Sequence, residues 1–174
     1  MEESEAAAES EELDSLADVE LQSVRKKLFN TKISDIYFVI GPSDFRSIGP
    51  IPIVHAFIYA DTAGTGEGIR YDVGLLNPAE TFTSAIFGVQ DGFVQRSTAA
   101  LSEIKSEPLT FTFKIASLSA LQRVSWEASV QAIPTDITPT EIPYSITNVI
   151  TGTNCIKWSI LAAFAAIVAG RIGS

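Results

Sequence analysis

The sequence has a single cysteine and a single histidine in 174 residues. One cysteine cannot close an internal disulfide, so the fold is not expected to depend on one. One histidine and one cysteine are also too few ligands for a typical zinc site, and no metal or other cofactor is expected. The N-terminal residues are acidic, and they lack the basic start and apolar stretch of a secretory signal. The expected location is therefore intracellular, most simply the cytoplasm.

Basic residues are missing from the first 20 positions, which hold nine of the 21 carboxylates. The net charge of -9 therefore resides in this segment, because the rest of the chain has equal numbers of acidic and basic residues. Such a segment repels itself and buries little apolar surface, which predicts a disordered acidic tail over residues 1–20. The sharper alternative is an arm that docks a protein partner. The remaining residues, 21–174, are long enough for one domain with its own core.

Two classes of binding protein are disfavoured by what the neutral body lacks. It has no basic stripe of the kind that tracks a phosphate backbone, so nucleic acid is not an expected partner. Its glycine-containing loop at 61–68 does not contain the GxxxxGK[ST] spacing that cradles phosphates, so a nucleotide site is not expected.

A long hydrophobic run is also absent. The longest candidate, Trp158 to Gly170, has 13 uncharged residues between Lys157 and Arg171. A helix needs about 20 such residues to cross a bilayer. The run therefore predicts a helix buried in the protein, beginning near Cys155, with docking at a membrane surface as the alternative.

The remaining patterns predict an α+β fold, a mostly antiparallel sheet packed against helices. β-Branched and aromatic residues bounded by glycine and proline are typical of strands, and apolar residues at helical spacing indicate helices. Residues 79–104 have no clean period, and the prolines of 134–145 indicate a loop. Strands are predicted at 32–41, 51–60, 69–76 and 108–117, and helices at 13–29, 119–133 and from 155 onwards.

The two singular residues occupy complementary settings. Strand alternation places His55 on one face with Ile53, Phe57 and Tyr59, so its imidazole projects from a rigid platform. Cys155 follows TGTN at the start of the last helix, where unpaired N–H groups stabilise a thiolate and can hold an oxyanion. Together they have the composition of a thiol nucleophile and its general base. The alternative is that both are packing residues.

Two sequence segments resemble those of the circularly permuted papain-like cysteine hydrolases and transferases. They are VHAFIYADT on a predicted strand and, about 100 residues later, GTNCIKW at a predicted helix start. These proteins include the PPPDE desumoylating-isopeptidase, lecithin:retinol acyltransferase and permuted NlpC/P60 types. The resemblance spans residues 33–170 and implies a thiol-dependent hydrolase or acyl transferase that acts on an amide, isopeptide or other acyl bond. The acyltransferase type carries a second histidine on the following strand, and this chain has none.

The third, orienting residue is predicted from the hairpin register. If the loop closes symmetrically about residues 64 and 65, His55 lies opposite Gly74 and diagonal to Asp72 on the same face. Asp72 is then the expected orienter, although it could instead be a strand carboxylate paired with Arg70. A shift of one residue would present Tyr71 in its place.

Three further side chains are assigned from the local sequence. Asn154 is expected to cap the last helix or to shape the oxyanion pocket. Trp158, less than one turn beyond Cys155, is expected to pack in the core or to wall the substrate cleft. Trp126 is expected to be a core residue.

Overall fold

The computed structural model describes residues 19–24, 26–27, 32–42, 54–62, 65, 67–134, 136, 138–147 and 152–172. Most of the predicted acidic tail, and with it the predicted docking arm, lies outside these residues. The two tail positions that are described, Val19 and Glu20, are helical, in agreement with the helix predicted at 13–29 rather than with a tail that extends to residue 20.

The described residues form an α+β fold with a six-stranded antiparallel sheet, as the sequence patterns predict. The strand order is β5-β1-β2-β3-β4-β6. The elements are α1 (residues 19–24 and 26–27), β1 (Lys32–Pro42), β2 (Val54–Asp61), β3 (Glu67–Leu75), α2 (Pro78–Phe87), β4 (Gln90–Ala100), α3 (Leu101–Ser106), β5 (Phe111–Ser119), α4 (Ala120–Ser129), β6 (Thr140–Tyr144) and α5 (Cys155–Arg171).

The β2–β3 hairpin has the predicted register. Ile58 pairs with Tyr71 and Tyr59 with Arg70, which centres the hairpin on residues 64 and 65. The ladder ends at the Ile58–Tyr71 pair, although both strands continue beyond it. His55 therefore lies at an open end of the hairpin, where β2 pairs only with β1 among the described strands.

The two faces of the sheet have separate cores. On one face, Ile58 of β2 and Val73 of β3 pack with Trp126 of α4 and with the small residues of α5, such as Ala162 and Ala166. The alanines let the helix approach the sheet closely. Trp126 is fully buried and donates its indole N–H to the carbonyl of Ala162 at 2.9 Å, so its predicted core position is confirmed. The smaller core on the other face consists of Val39, Phe57, Tyr59 and Ile104.

Two segments differ from the sequence prediction. The segment 134–145 was expected to be a loop, but Thr140–Tyr144 forms β6 at the edge of the sheet. An edge strand accepts Pro143 because a missing N–H on its outer side removes no ladder bond. The segment 79–104, which has no clean period, contains parts of α2, β4 and α3, and a short helix that adjoins a strand gives mixed spacing.

The prediction that α5 is buried on all sides is wrong. Its inner face is buried against the sheet through Cys155, Trp158, Ala162 and Ala166. Its outer face exposes large apolar side chains, among them Ile160 at 54%, Leu161 at 57% and Phe164 at 65%. An all-apolar composition does not reveal that only one side of a helix is covered. Within the described part of the chain, every helix is too short or too polar to cross a bilayer.

Candidate active site

Cys155 is the first residue of α5, and Asn154 caps this helix. The Asn154 Oδ1 atom accepts a hydrogen bond from the N–H of Lys157 at 2.8 Å, and its Nδ2 donates to the carbonyl of Ile146 at 3.2 Å. Both polar ends of the side chain are thus engaged, one by the helix and one by the preceding loop. Of its two predicted roles, Asn154 has the geometry of the cap.

The turn that delivers Cys155 is tied to the edge of the sheet. The N–H of Thr153 donates to the carbonyl of Pro143 at 2.9 Å, and the N–H of Ser145 donates to the carbonyl of Thr153 at 2.7 Å. Thr153 therefore forms a parallel bridge with Tyr144 of β6. The start of α5 is held by backbone bonds, which fixes the position of the cysteine relative to the strands.

Asp72 joins His55 to Arg70 on one face of the hairpin. The Nε2 atom of His55 is hydrogen-bonded to Oδ1 of Asp72, and Arg70 binds Oδ2 through Nε at 2.9 Å and Nη2 at 2.6 Å. The Arg70 guanidinium also lies 3.9 Å from the centre of the Phe57 ring. Asp72 thus contacts both of its predicted partners, His55 and Arg70. The bond to Nε2 leaves Nδ1 as the ring nitrogen free to face another group.

Tyr71, the other candidate for the orienting residue, lies on the opposite face. Its hydroxyl donates to Oε1 of Glu127 at 2.5 Å, and its ring meets Trp126 edge-on at a centroid distance of 5.5 Å. Burial and the hydrogen bond to Glu127 raise the pKa of Tyr71 to about 12. Tyr71 is therefore part of the large core rather than of the group around His55.

The Cys155 thiol and the His55 ring each shift the pKa of the other, although they are 100 positions apart in the sequence. Burial of the imidazole disfavours its charged form. The hydrogen bonds to Asp72 and Cys155, with the negative charges of both, outweigh this effect and raise the pKa of His55 to about 10. Below that pH the ring is an imidazolium.

The sulfur is stabilised as a thiolate. Burial alone raises the pKa of the Cys155 thiol, but several contacts more than offset it. They are the hydrogen bond to His55, the positive charge of His55 and the backbone N–H groups of Ala56 and Ile156, and together they lower this pKa below its usual 9.0. The two shifts favour a thiolate–imidazolium pair, in which the cysteine is 7% exposed. A thiolate with an adjacent imidazolium can attack a carbonyl and then protonate the leaving group.

Sequence reasoning missed one side chain at this site, Tyr144. It lies on β6, is 9% exposed and packs in the same buried cluster as Cys155, which raises the pKa of the tyrosine. It stands in the proline-bearing segment that was expected to be a loop, so no strand pattern indicated where its ring would lie. The missing signal was the pairing of β6 with β4 and with Thr153.

Trp158 packs in the same buried cluster as Cys155 and is 5% exposed. Its indole N–H has no hydrogen-bond partner among the described residues. This agrees with the packing role, and a role as cleft wall stays a prediction.

No group of three His, Cys, Asp or Glu side chains that could hold a metal ion occurs among the described residues. Comparisons of the chain with known proteins give no relative from which a function could be read: no family model, no curated protein and no solved structure matches it.

Proposed function

We propose that the protein is a thiol-dependent hydrolase or acyl transferase that acts on an amide, isopeptide or other acyl bond. The observation that carries the proposal is Cys155 at the N-terminus of α5, with its pKa lowered by His55, whose ring is hydrogen-bonded to Asp72. A buried thiol paired with an imidazolium, which is itself oriented by a carboxylate, has the geometry of an activated nucleophile.

In the first half of the reaction, the Cys155 thiolate donates an electron pair to the carbonyl carbon, and the carbonyl π electrons move to oxygen. The tetrahedral species collapses, the bond to the leaving group breaks, and His55 gives its proton to that group. In the second half, His55 takes a proton from water or another acceptor. That acceptor attacks the thioester, and Cys155 leaves as a thiolate.

Asp72 and Arg70 act on this chemistry through His55. The carboxylate orients the ring through Nε2, and its charge stabilises the imidazolium. Burial alone would raise the pKa of Asp72. The hydrogen bonds and positive charges of His55 and Arg70 lower this pKa by more than burial raises it, so the carboxylate stays ionised. Arg70 thereby holds Asp72 in position.

The permuted papain-like arrangement is part of the same proposal. Its support is the chain order, with the histidine on β2 and the cysteine later at the start of α5. The antiparallel sheet packed on that helix is compatible with it. The main rival is an interaction domain of the same fold in which His55 and Cys155 only pack.

Iodoacetamide labelling of the full chain distinguishes the two. The chain has one cysteine, so any thiol label reports on Cys155. An active pair predicts fast labelling near neutral pH and a decrease of about tenfold or more in His55→Ala, which loses the partner of the thiolate. The control Asp91→Asn changes an exposed carboxylate of β4 and should label like the wild type. Slow labelling that is equal in wild type and His55→Ala would exclude the catalytic proposal.

The outer face of α5 favours a second candidate function, docking at a membrane surface. Five large apolar side chains on this face are 36–65% exposed: Ile156, Ile160, Leu161, Phe164 and Val168. A helix that buries one apolar face in the protein and presents another outward can lie in the plane of a lipid interface.

A further inference from the structure

Tyr144 packs in the same buried cluster as the nucleophilic Cys155. It is carried by β6, a different element from those that carry His55 and Asp72. The resting pair of Cys155 and His55 needs no such third group, since His55 and two backbone N–H groups already contact the sulfur. Its placement therefore calls for a separate role.

The fold fixes Tyr144 tightly. Its backbone is bonded to β4 on one side and bridged to Thr153 on the other, two residues before Cys155. On the neighbouring strand, a Cβ atom added to Gly92 would lie 2.4 Å from Cβ of Tyr144 and 2.8 Å from the carbonyl oxygen of Gly74. Only glycine fits at position 92 without displacing the tyrosine.

The surroundings keep this hydroxyl protonated. Burial raises the pKa of Tyr144, and the negative charge of Cys155 and the hydrogen bond to it raise the pKa further. The raised pKa thus favours Tyr144 as a neutral hydrogen-bond donor.

We propose that Tyr144 is the side-chain donor of the oxyanion hole, a role that rests on the function proposed above. When sulfur attacks, the negative charge leaves sulfur and appears on an oxygen attached to the same carbon. A donor packed beside Cys155 therefore needs to move little to contact that oxygen. The O–H donates a hydrogen bond without losing its proton, together with the N–H of Ile156 at the start of α5.

Two reagents separate this role from a general effect on the thiol. Acylation of Cys155 by p-nitrophenyl acetate passes through an oxyanion, whereas alkylation by iodoacetamide displaces iodide and forms none. In Tyr144→Phe we expect acylation, followed by nitrophenolate release, to fall by about 100-fold, the usual cost of one oxyanion donor. Alkylation, measured at a pH where the thiolate is fully formed, should fall far less.

Tyr71→Phe is the matched control, because it also removes a buried tyrosine hydroxyl but on the core face, where it binds Glu127. Both rates should stay close to wild type. Equal acylation in wild type and Tyr144→Phe, or an equal fall of both rates in Tyr144→Phe, would overturn the oxyanion role. The proposed function itself fails in a different way, because the wild type is then not acylated and is alkylated slowly.

A second variant keeps the test decisive if circular dichroism shows that Tyr144→Phe is unfolded. Incorporation of 3,5-difluorotyrosine at position 144 retains the ring and the hydroxyl but makes the hydroxyl more acidic. At neutral pH the ratio of the acylation rate to the alkylation rate should then differ from that of the wild type, since the donor strength of the hydroxyl affects only the reaction that forms an oxyanion. An unchanged ratio would contradict the proposal.

Discussion

The imidazole of His55 and the carboxylate of Asp72 are joined by a hydrogen bond across the open end of the β2–β3 hairpin, 17 positions apart in the sequence. The ladder of this hairpin stops at Ile58 and Tyr71, before it reaches either residue. The two side chains thus meet where the backbones no longer pair, and this leaves the N–H of Ala56 free to bind the Cys155 sulfur.

Asp72→Asn removes the charge of the orienting residue while it keeps its shape. The pKa of His55 should fall from about 10, so the high-pH limb of the acylation profile should move to lower pH. We expect the acylation rate to fall by at least about tenfold, because replacing the orienting carboxylate of a catalytic triad lowers the rate by more than this. Nitrophenolate release from p-nitrophenyl acetate across pH measures both effects. Asp91→Asn is the control, and identical profiles for wild type and Asp72→Asn would contradict the orienting role.

The pH dependence of stability should differ between the wild type and Cys155→Ser. The raised pKa of His55 stabilises the fold below its ordinary value of 6.5, and this contribution is lost as the pH rises towards about 10. The lowered pKa of Cys155 stabilises the fold above its ordinary 9.0, and this contribution is lost as the pH falls. At pH values above 6.5 that lie between the lowered pKa of the folded Cys155 and its ordinary 9.0, the folded and unfolded pair each bind one proton, so the two slopes cancel.

In Cys155→Ser only the slope from His55 remains, provided that Asp72 still holds its pKa above 6.5. The free energy of unfolding, measured by urea titration, should then decrease with rising pH across this window relative to the wild type. Parallel curves for the two proteins would show that no ion pair forms between Cys155 and His55.

Asn154→Ala should cost about 1 kcal/mol of stability, the usual value of a helix cap. Because the same side chain also holds the preceding loop through Ile146, iodoacetamide labelling of Cys155 should slow as well. Ser119→Ala is the matched control, since Ser119 caps α4 through the N–H of Gln122, on a helix that does not carry the cysteine. It should lose similar stability in urea and keep the labelling rate. An unchanged labelling rate in Asn154→Ala would contradict the prediction that the helix cap affects the reactivity of Cys155.

The membrane-surface candidate predicts that the full chain floats with vesicles of phosphatidylcholine and phosphatidylserine. The double variant Ile160→Ser/Phe164→Ser should stay in the dense fraction with an unchanged circular dichroism spectrum, because both side chains are exposed. Phe111→Ser/Phe113→Ser, on the exposed face of β5, removes apolar area elsewhere and should still float. A wild type that stays dense would exclude this function. A concentration-dependent dimer lost in the α5 variant would assign the face to self-association.

The parts of the site that follow local rules could be predicted from the sequence. Strand alternation and a symmetric hairpin are enough to place Asp72 beside His55, and TGTN before an apolar run is enough to place Cys155 at a helix start. Tyr144 could not be found in this way. Its position depends on β6 reaching the edge of the sheet, a long-range pairing that the prolines of the segment conceal. The exposed face of α5 was missed for a related reason, since composition does not specify which neighbour covers a helix.

The register of the β2–β3 hairpin makes the connection between these strands a determinant of chemistry. Surface loops usually accept added or deleted residues without consequence. Here, a length change that the loop itself absorbs would leave Asp72 facing His55. A change absorbed by a one-residue slip of the ladder would turn Asp72 to the face of the larger core and bring Tyr71 to the imidazole. Tolerance to insertion at this turn is therefore set by the strand ladder and not by the loop.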